Sequence, residues 1–161
     1  MPALNSSAKR FQNVLKCAGF HNQVVEMPET TRTASEAAQT IGCQVNQIVK
    51  SIIFKTKKSE KPVLVITSGS NRVDEKKVAA IIGEKLGKAD ADFVRQKTGY
   101  AIGGVPPAGH TTTMLILIDE DLMGFEEIWA AAGTPYAVFK LTPDELLRLT
   151  KANPVNIKKE K

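Results

Sequence analysis

Two stretches of this sequence place chemically capable groups where plain structural residues would be expected. The first is Lys50, which interrupts the run Ile48-Val49-Lys50-Ser51-Ile52-Ile53-Phe54. A lysine in such a strand either snorkels its ammonium to water or holds a cation rigidly at a pocket mouth. Fixed on a strand, an ammonium is a point charge suited to a phosphate or a carbonyl oxygen. The second stretch is Thr98–His110, which holds Gly99, Gly103, Gly104 and Gly109 together with the adjacent Pro106 and Pro107. Glycines let a backbone approach a ligand closely, and prolines stiffen it. Amides exposed by such a loop can polarise an ester carbonyl and hold its developing oxyanion. The same composition also suits a tight structural turn, so each feature alone has a second explanation.

Other catalytic signatures are missing. Gly-x-Ser-x-Gly, His-Glu-x-x-His and the Gly-rich phosphate loop ending in Gly-Lys-Ser/Thr do not occur. Cys17, Cys43, His21 and His110 are scattered without the spacing of metal ligands, so no metal site is expected. The cysteines fit buried, apolar-like positions on helix faces or ends, and a cysteine-nucleophile hydrolase is the rival reading. The lysines at 55, 57, 58 and 61, and again at 76 and 77, fit either a phosphate backbone or a solvated face.

The elements that must position Lys50 and the loop are legible from periodicity. Phe11, Val14, Leu15 and Ala18 predict a helix over Ala8–Ala18, stopped by Gly19. A short extended piece follows over Gln23–Met27. Thr33-Ala34-Ser35-Glu36 reads as a capping box for a helix over Ser35–Ile41, closed by Gly42. Ile48–Lys55 and Pro62–Thr67 read as strands joined by the charged turn Lys57–Lys61. Their nearly continuous apolar content places this hairpin in a sheet interior. Asp74 caps a helix expected over Glu75–Leu86, and a shorter helical piece lies near Asp92–Lys97. Met114–Ile118 reads as a buried strand. Phe125–Ala132 is ambiguous, its alanines tilting it towards helix. Val138–Leu141 reads as a strand, and Thr142-Pro143 starts a last helix running to about Thr150. The expected class is α/β with a mixed sheet in one domain over 1–155, followed by a charged, frayed tail over 156–161.

Composition bounds the rest. The 161 residues fit one compact domain, with 42% hydrophobic and 24% charged residues. Aromatics make up only 6%, which disfavours nucleic-acid binding by rows of stacked rings. The net charge of +5 suits a polyanionic partner without requiring one. No apolar run is long enough to cross a bilayer, and the first residues lack the charged-then-apolar order of a secretion signal. No membrane association is expected, and the cytoplasm is the expected compartment.

Taken together, these residues resemble the YbaK family, also called the prolyl-tRNA-synthetase-associated editing domain. The resemblance runs from the first helix to Leu149. It rests on Gln47-Ile48-Val49-Lys50-Ser51, on Ser68-Gly69-Ser70-Asn71-Arg72-Val73-Asp74, and on Thr98-Gly99-Tyr100 through Gly103-Gly104-Val105-Pro106-Pro107. The last stretch contains the family's Gly-x-x-x-Pro pattern, from Gly103 to Pro107. Pro106 stands where some Cys-tRNA deacylases of the family carry a polar residue.

The resemblance implies an α/β fold with a partly barrel-like mixed sheet. It also makes Glu127–Ala131 a strand paired with Tyr136–Lys140. The activity it implies is hydrolysis of a tRNA wrongly charged with Cys, Ala, Ser or Thr, with no metal or organic cofactor. Its implied partners are the acceptor end of aminoacyl-tRNA and an aminoacyl-tRNA synthetase. The candidate catalytic residues are Lys50, Gly103, Gly104 and Pro107. The candidate substrate-binding residues are Ser51, Thr67, Ser68, Val105, Pro106 and Gly133. The alternative is a module that binds aminoacyl-tRNA or a nucleotide in the same pocket without hydrolysis.

Overall fold

The computed structural model describes residues 5–160. Residues 1–4 and Lys161, the ends of the expected domain and tail, lie outside the described residues. The Asn5 side chain accepts the Ser7 N–H and caps α1 (Ser6–Cys17), whose Ala8, Phe11 and Leu15 face inward. After β1 (Val24–Glu26), Thr33 caps α2 (Ala34–Ile41), its hydroxyl accepting the Glu36 N–H at 3.1 Å. Only this half of the expected capping box forms, because Glu36 Oε2 is buried without a partner.

A short 3-10 turn, Val45–Gln47, leads into β2 (Ile48–Thr56), which forms an antiparallel hairpin with β3 (Pro62–Ser68). Asp74 caps α3 (Glu75–Ile82) by accepting from the Lys76 and Lys77 amides. That helix stops four residues short of Leu86, because Gly83 takes the left-handed conformation at φ 80°. Leu86 instead opens β4 (Leu86–Lys88), which pairs with the far end of β2. There follow α4 (Ala91–Thr98), β5 (Leu115–Asp119), β6 (Ile128–Ala131), β7 (Ala137–Leu141), α5 (Pro143–Thr150) and β8 (Pro154–Val155). The ambiguous alanine-rich stretch is thus a strand, held extended by pairing with β7 from Ile128↔Leu141 to Ala131↔Val138.

The strand order is β1-β7-β6-β2-β3-β5-β8, with β4 also pairing β2. The sheet is mixed, as expected, and it is not closed: β1 and β8 end the strand order. The hairpin lies in the interior as its composition required, and every residue of β3 is buried. Leu64 and Ile66 belong to the large core with Phe11, Leu15 and Phe139. Val63 and Val65 belong to a second core with Val78, Leu117 and Ile157. Each fully buried aliphatic side chain contributes about 1.5–3 kcal/mol, so β3 anchors both layers.

The C-terminal stretch expected to fray is held in place within the described residues. Ile157 is completely buried, and Lys158 forms a bridge with Val73.

Candidate active site

The hairpin that anchors the cores also builds a cavity along one edge of β2. This strand pairs with β3 along its length, but its other edge is shared between two short ladders. Ile48 and Val49 pair with β6, whereas Phe54–Thr56 pair with β4. Between them the edge is open. The Gly69 N–H donates to the Ile48 carbonyl at 2.7 Å and the Thr56 N–H to the Lys61 carbonyl at 2.9 Å. These bonds set the phase of the β2–β3 ladder, so the backbone groups of Ser51 point away from β3 towards the open edge. Neither of the short ladders reaches Ser51. Its hydroxyl is also buried without a partner. Buried polar groups are normally satisfied, so this unpaired hydroxyl is an exception within a residue of the cavity wall.

The cavity at this edge has a volume of about 580 Å³, within the range of small-molecule sites. Lys50, Ser51, Gly103 and Val105 all line it. Its wall is largely aliphatic, from Ala37 and Ile41 of α2, Val94 of α4, and Ala130 and Val138 of β6 and β7. Arg32, Glu75 and Trp129 also line it.

Lys50 is half-buried, and its ammonium donates to the Asn71 carbonyl at 2.8 Å. Burial holds its pKa below the ordinary lysine value, and the positive charge of Arg72 adds to the effect, with Asp119 opposing it. Thr67 lies opposite Lys50 in the hairpin register but does not line the cavity. Its hydroxyl donates to Asp119 Oδ2 at 3.0 Å, and the Ser68 amide donates to the same oxygen at 3.1 Å. Asn71 Nδ2 completes the cluster, donating to Asp119 Oδ2 at 2.8 Å and to Asp121 Oδ2 at 2.9 Å. Asp119 is fully buried, and these donors compensate its charge. Thr67 and Ser68 therefore work behind the cavity wall, holding the carboxylate that fixes the Asn71 loop.

The glycine loop is held differently. Gly103 has φ 90°, and a Cβ there would stand 2.9 Å from Arg32 Cγ, so glycine lets the arginine stem lie across the loop. At Gly104 a Cβ would meet the Thr134 backbone at 2.7 Å. The Gly104 amide is already engaged, donating to the Ala101 carbonyl at 3.0 Å, while its carbonyl accepts the Gly133 N–H at 2.9 Å. Neither Gly104 nor Gly133 lines the cavity; they dock the loop onto the β6–β7 turn. Pro106 and Pro107 are buried and do not line it either. The Pro106 carbonyl pairs with His110 Nε2 at 2.7 Å. Burial depresses the His110 pKa, so a neutral ring with its proton on Nε2 donates this bond and braces the loop.

Sequence reasoning passed over Asp119, Asp121, Arg32 and Trp129. A carboxylate ending the apolar run Leu115–Ile118 was a usable signal, since a buried charge needs dedicated donors. The lysine clusters differ in their surroundings. Lys77 is occupied by Asn156, the Lys158 carbonyl and Glu160. Lys55 lies 3.6 Å from Glu60 at the surface.

The family model for the aminoacyl-tRNA editing domain matches residues 28–149, a span that contains the whole of this cavity wall. This chain belongs to that family. A crystal structure described as a "putative trans-editing enzyme for prolyl tRNA synthetase" is 48% identical, covers 98% of this chain and 100% of its own, and superposes with a TM-score of 0.92. Uncharacterized protein YwhH of Bacillus subtilis is 31% identical over 125 residues, which span 78% of this chain and 79% of YwhH. A protein of Enterococcus faecalis named "Putative Cys-tRNA(Pro)/Cys-tRNA(Cys) deacylase EbsC" is 26% identical over 119 residues, 73% of this chain and 72% of that one. Among the described residues no helix is long and apolar enough to cross a membrane.

Proposed function

We propose that this chain is a trans-acting deacylase that hydrolyses the ester between a wrongly attached small amino acid and the terminal ribose of a tRNA. The observation that carries this reading is the meeting of Lys50, Ser51 and Gly103 on one cavity. The family supports the reaction class, and the names of its relatives support a link to prolyl-tRNA synthetase. The setting is then the cytoplasm, on tRNA charged by that synthetase.

In this reading the Lys50 ammonium holds the phosphate of the terminal nucleotide or the aminoacyl carbonyl oxygen. The Asn71 carbonyl aims the ammonium but leaves its other protons for substrate. Of the loop amides, Gly104 is committed to Ala101, which leaves those of Gly103 and Val105, both on the cavity wall, to orient the ester. Water attacks the ester carbonyl, the acyl–oxygen bond breaks, and the departing ribose oxygen takes a proton. The neighbouring ribose hydroxyl relays the attacking water's proton to that oxygen, a substrate-assisted route that needs neither histidine, both of which lie off the cavity wall, nor the wall carboxylates Glu75 and Asp90. The aliphatic wall selects by size, a discrimination of about 1–3 kcal/mol per methylene. The Ser51 backbone amide and carbonyl, turned to the open edge, add polar contacts that a substrate hydroxyl, thiol or amine can fill.

A panel of Cys-, Ala-, Ser- and Thr-charged tRNAs in single-turnover assays tests the proposal. Release of free amino acid from at least one supports it. Tight binding without release from any of them would instead establish a binding module.

A further inference from the structure

The open question about Lys50 is what keeps its long, flexible stem aimed. Its acceptor, the Asn71 carbonyl, lies on the loop between β3 and α3, and beyond the Gly69–Ile48 bond that loop is tied at two further places. One is Asp119, which accepts from Ser68 and Asn71. The other is the C-terminal segment. The Asp74 N–H donates to the Ile157 carbonyl at 2.7 Å and the Lys159 N–H to the Arg72 carbonyl at 2.8 Å. Lys158 bridges to Val73, and its ammonium reaches Asp121 Oδ2 at 2.7 Å. That same oxygen accepts from Asn71 Nδ2 at 2.9 Å.

We infer that the C-terminal segment is a positioning strap for Lys50, with Lys158 setting the aim through Asp121 and Asn71. This rests on the reading that Lys50 acts on the ester. The chain of contacts is continuous: Lys158 to Asp121, Asp121 to the Asn71 side chain, and the Asn71 carbonyl to Lys50. Each member has a division of labour that packing alone does not require. Ile157 fills the second core and so carries stability. The Lys158 side chain is partly exposed, and ion pairs of that kind contribute little to folding. Its place in the network is geometric: it holds the Asp121 carboxylate where Asn71 can reach it.

The charged groups acting on Lys50 are Arg72 on the same loop and Asp119 on β5. Glu75 of α3 lines the shared cavity, and Asp121 with Lys158 lies beyond Asn71. Loosening the strap lets water reach the ammonium and moves Arg72 away. Both changes raise the Lys50 pKa towards its ordinary value.

The test combines Lys158→Met, Lys158→Arg and Asp121→Asn in the full-length protein. Single-turnover deacylation of the best mischarged tRNA is measured beside competitive amine labelling of Lys50 against pH. Lys158→Met is expected to lower the chemical rate about tenfold, the scale of a small misplacement, with substrate affinity within about twofold. Lys158→Arg is expected to restore most of the rate. Asp121→Asn is expected to follow Lys158→Met, and both to move the Lys50 labelling midpoint upward. A wild-type rate or an unmoved midpoint in Lys158→Met would overturn the strap, and so would a lost rate that Lys158→Arg does not restore. Lys50→Ala serves as the reference. If it keeps full activity, the role of Lys50 falls, while the labelling result still decides the strap.

Discussion

The two walls of the cavity are held by different physics. Lys50 is aimed by hydrogen bonds and charge, through Asn71, Asp119 and Asp121. The glycine loop is held mainly by shape, with Gly103 under Arg32 and Gly104 against the Thr134 backbone. An electrostatic wall answers to pH and to removal of a charge. A steric wall answers to added volume and hardly to pH. In the proposed reaction one wall would supply a cation and the other a fixed frame against which the ester is placed.

The largest contrast is expected on removing the cation itself. Lys50→Ala should reduce deacylation by about 10²–10³-fold, the range seen when one transition-state donor is lost. Thermal melting should stay near wild type, because a half-buried charge is being removed. Full activity would place the chemistry elsewhere. The steric wall gives the next effect: Gly103→Val forces a β-branched residue to φ 90° against Arg32. A stability loss of about 1–3 kcal/mol is expected from the backbone conformation, read by denaturant unfolding. At least a tenfold loss of deacylation should accompany it, with Lys50 labelling unchanged. Turnover equal to wild type would reduce this loop to a structural turn.

A pH series sharpens the comparison further. In the proposed mechanism Lys50 acts as a cation, so its contribution would be present below its pKa and lost as pH rises through it. With that pKa depressed by burial and by Arg72, the enzyme-dependent rate should fall at a pH below the ordinary lysine value. Gly103→Val should keep that alkaline limb, whereas Lys50→Ala should lack it. If both variants keep the limb, another group carries it. The smallest effect belongs to the cysteines. Neither Cys17 nor Cys43 lines the cavity, and burial raises the Cys43 pKa, which keeps it a thiol. Cys17→Ala and Cys43→Ala should therefore leave the rate within about twofold, and an inactive variant would restore the cysteine mechanism.

Much of the fold was legible because it is decided locally. Asp74 and Thr142 announce their helices as side chains that satisfy the first free amides. The unbroken apolar content of Pro62–Thr67 announces a strand buried on both faces. The elements that were missed are those with too little local signal. β4 has three residues and β8 two, and each exists because a neighbouring strand offers a ladder. The alanines of β6 suit a helix until β7 pairs with them. In the C-terminal stretch, one apolar residue among lysines reads as solvated tail, although Ile157 completes a core built by distant segments.

Lys50 and the Gly103–Pro107 loop were visible in the sequence by itself, because a charge in an apolar strand and a run of Gly and Pro break local patterns. The tertiary structure decided where they meet. It left the edge of β2 open between two short ladders, turning Ser51 and Lys50 towards one cavity. It committed the Gly104 amide to Ala101 and left Gly103 facing the cavity. It also brought the Asp119–Asp121 segment and Lys158 together around Asn71, whose carbonyl accepts from the Lys50 ammonium. Such contacts depend on which strands pair and how loops close over them, and residues 37 or more positions apart leave no periodic mark of that meeting.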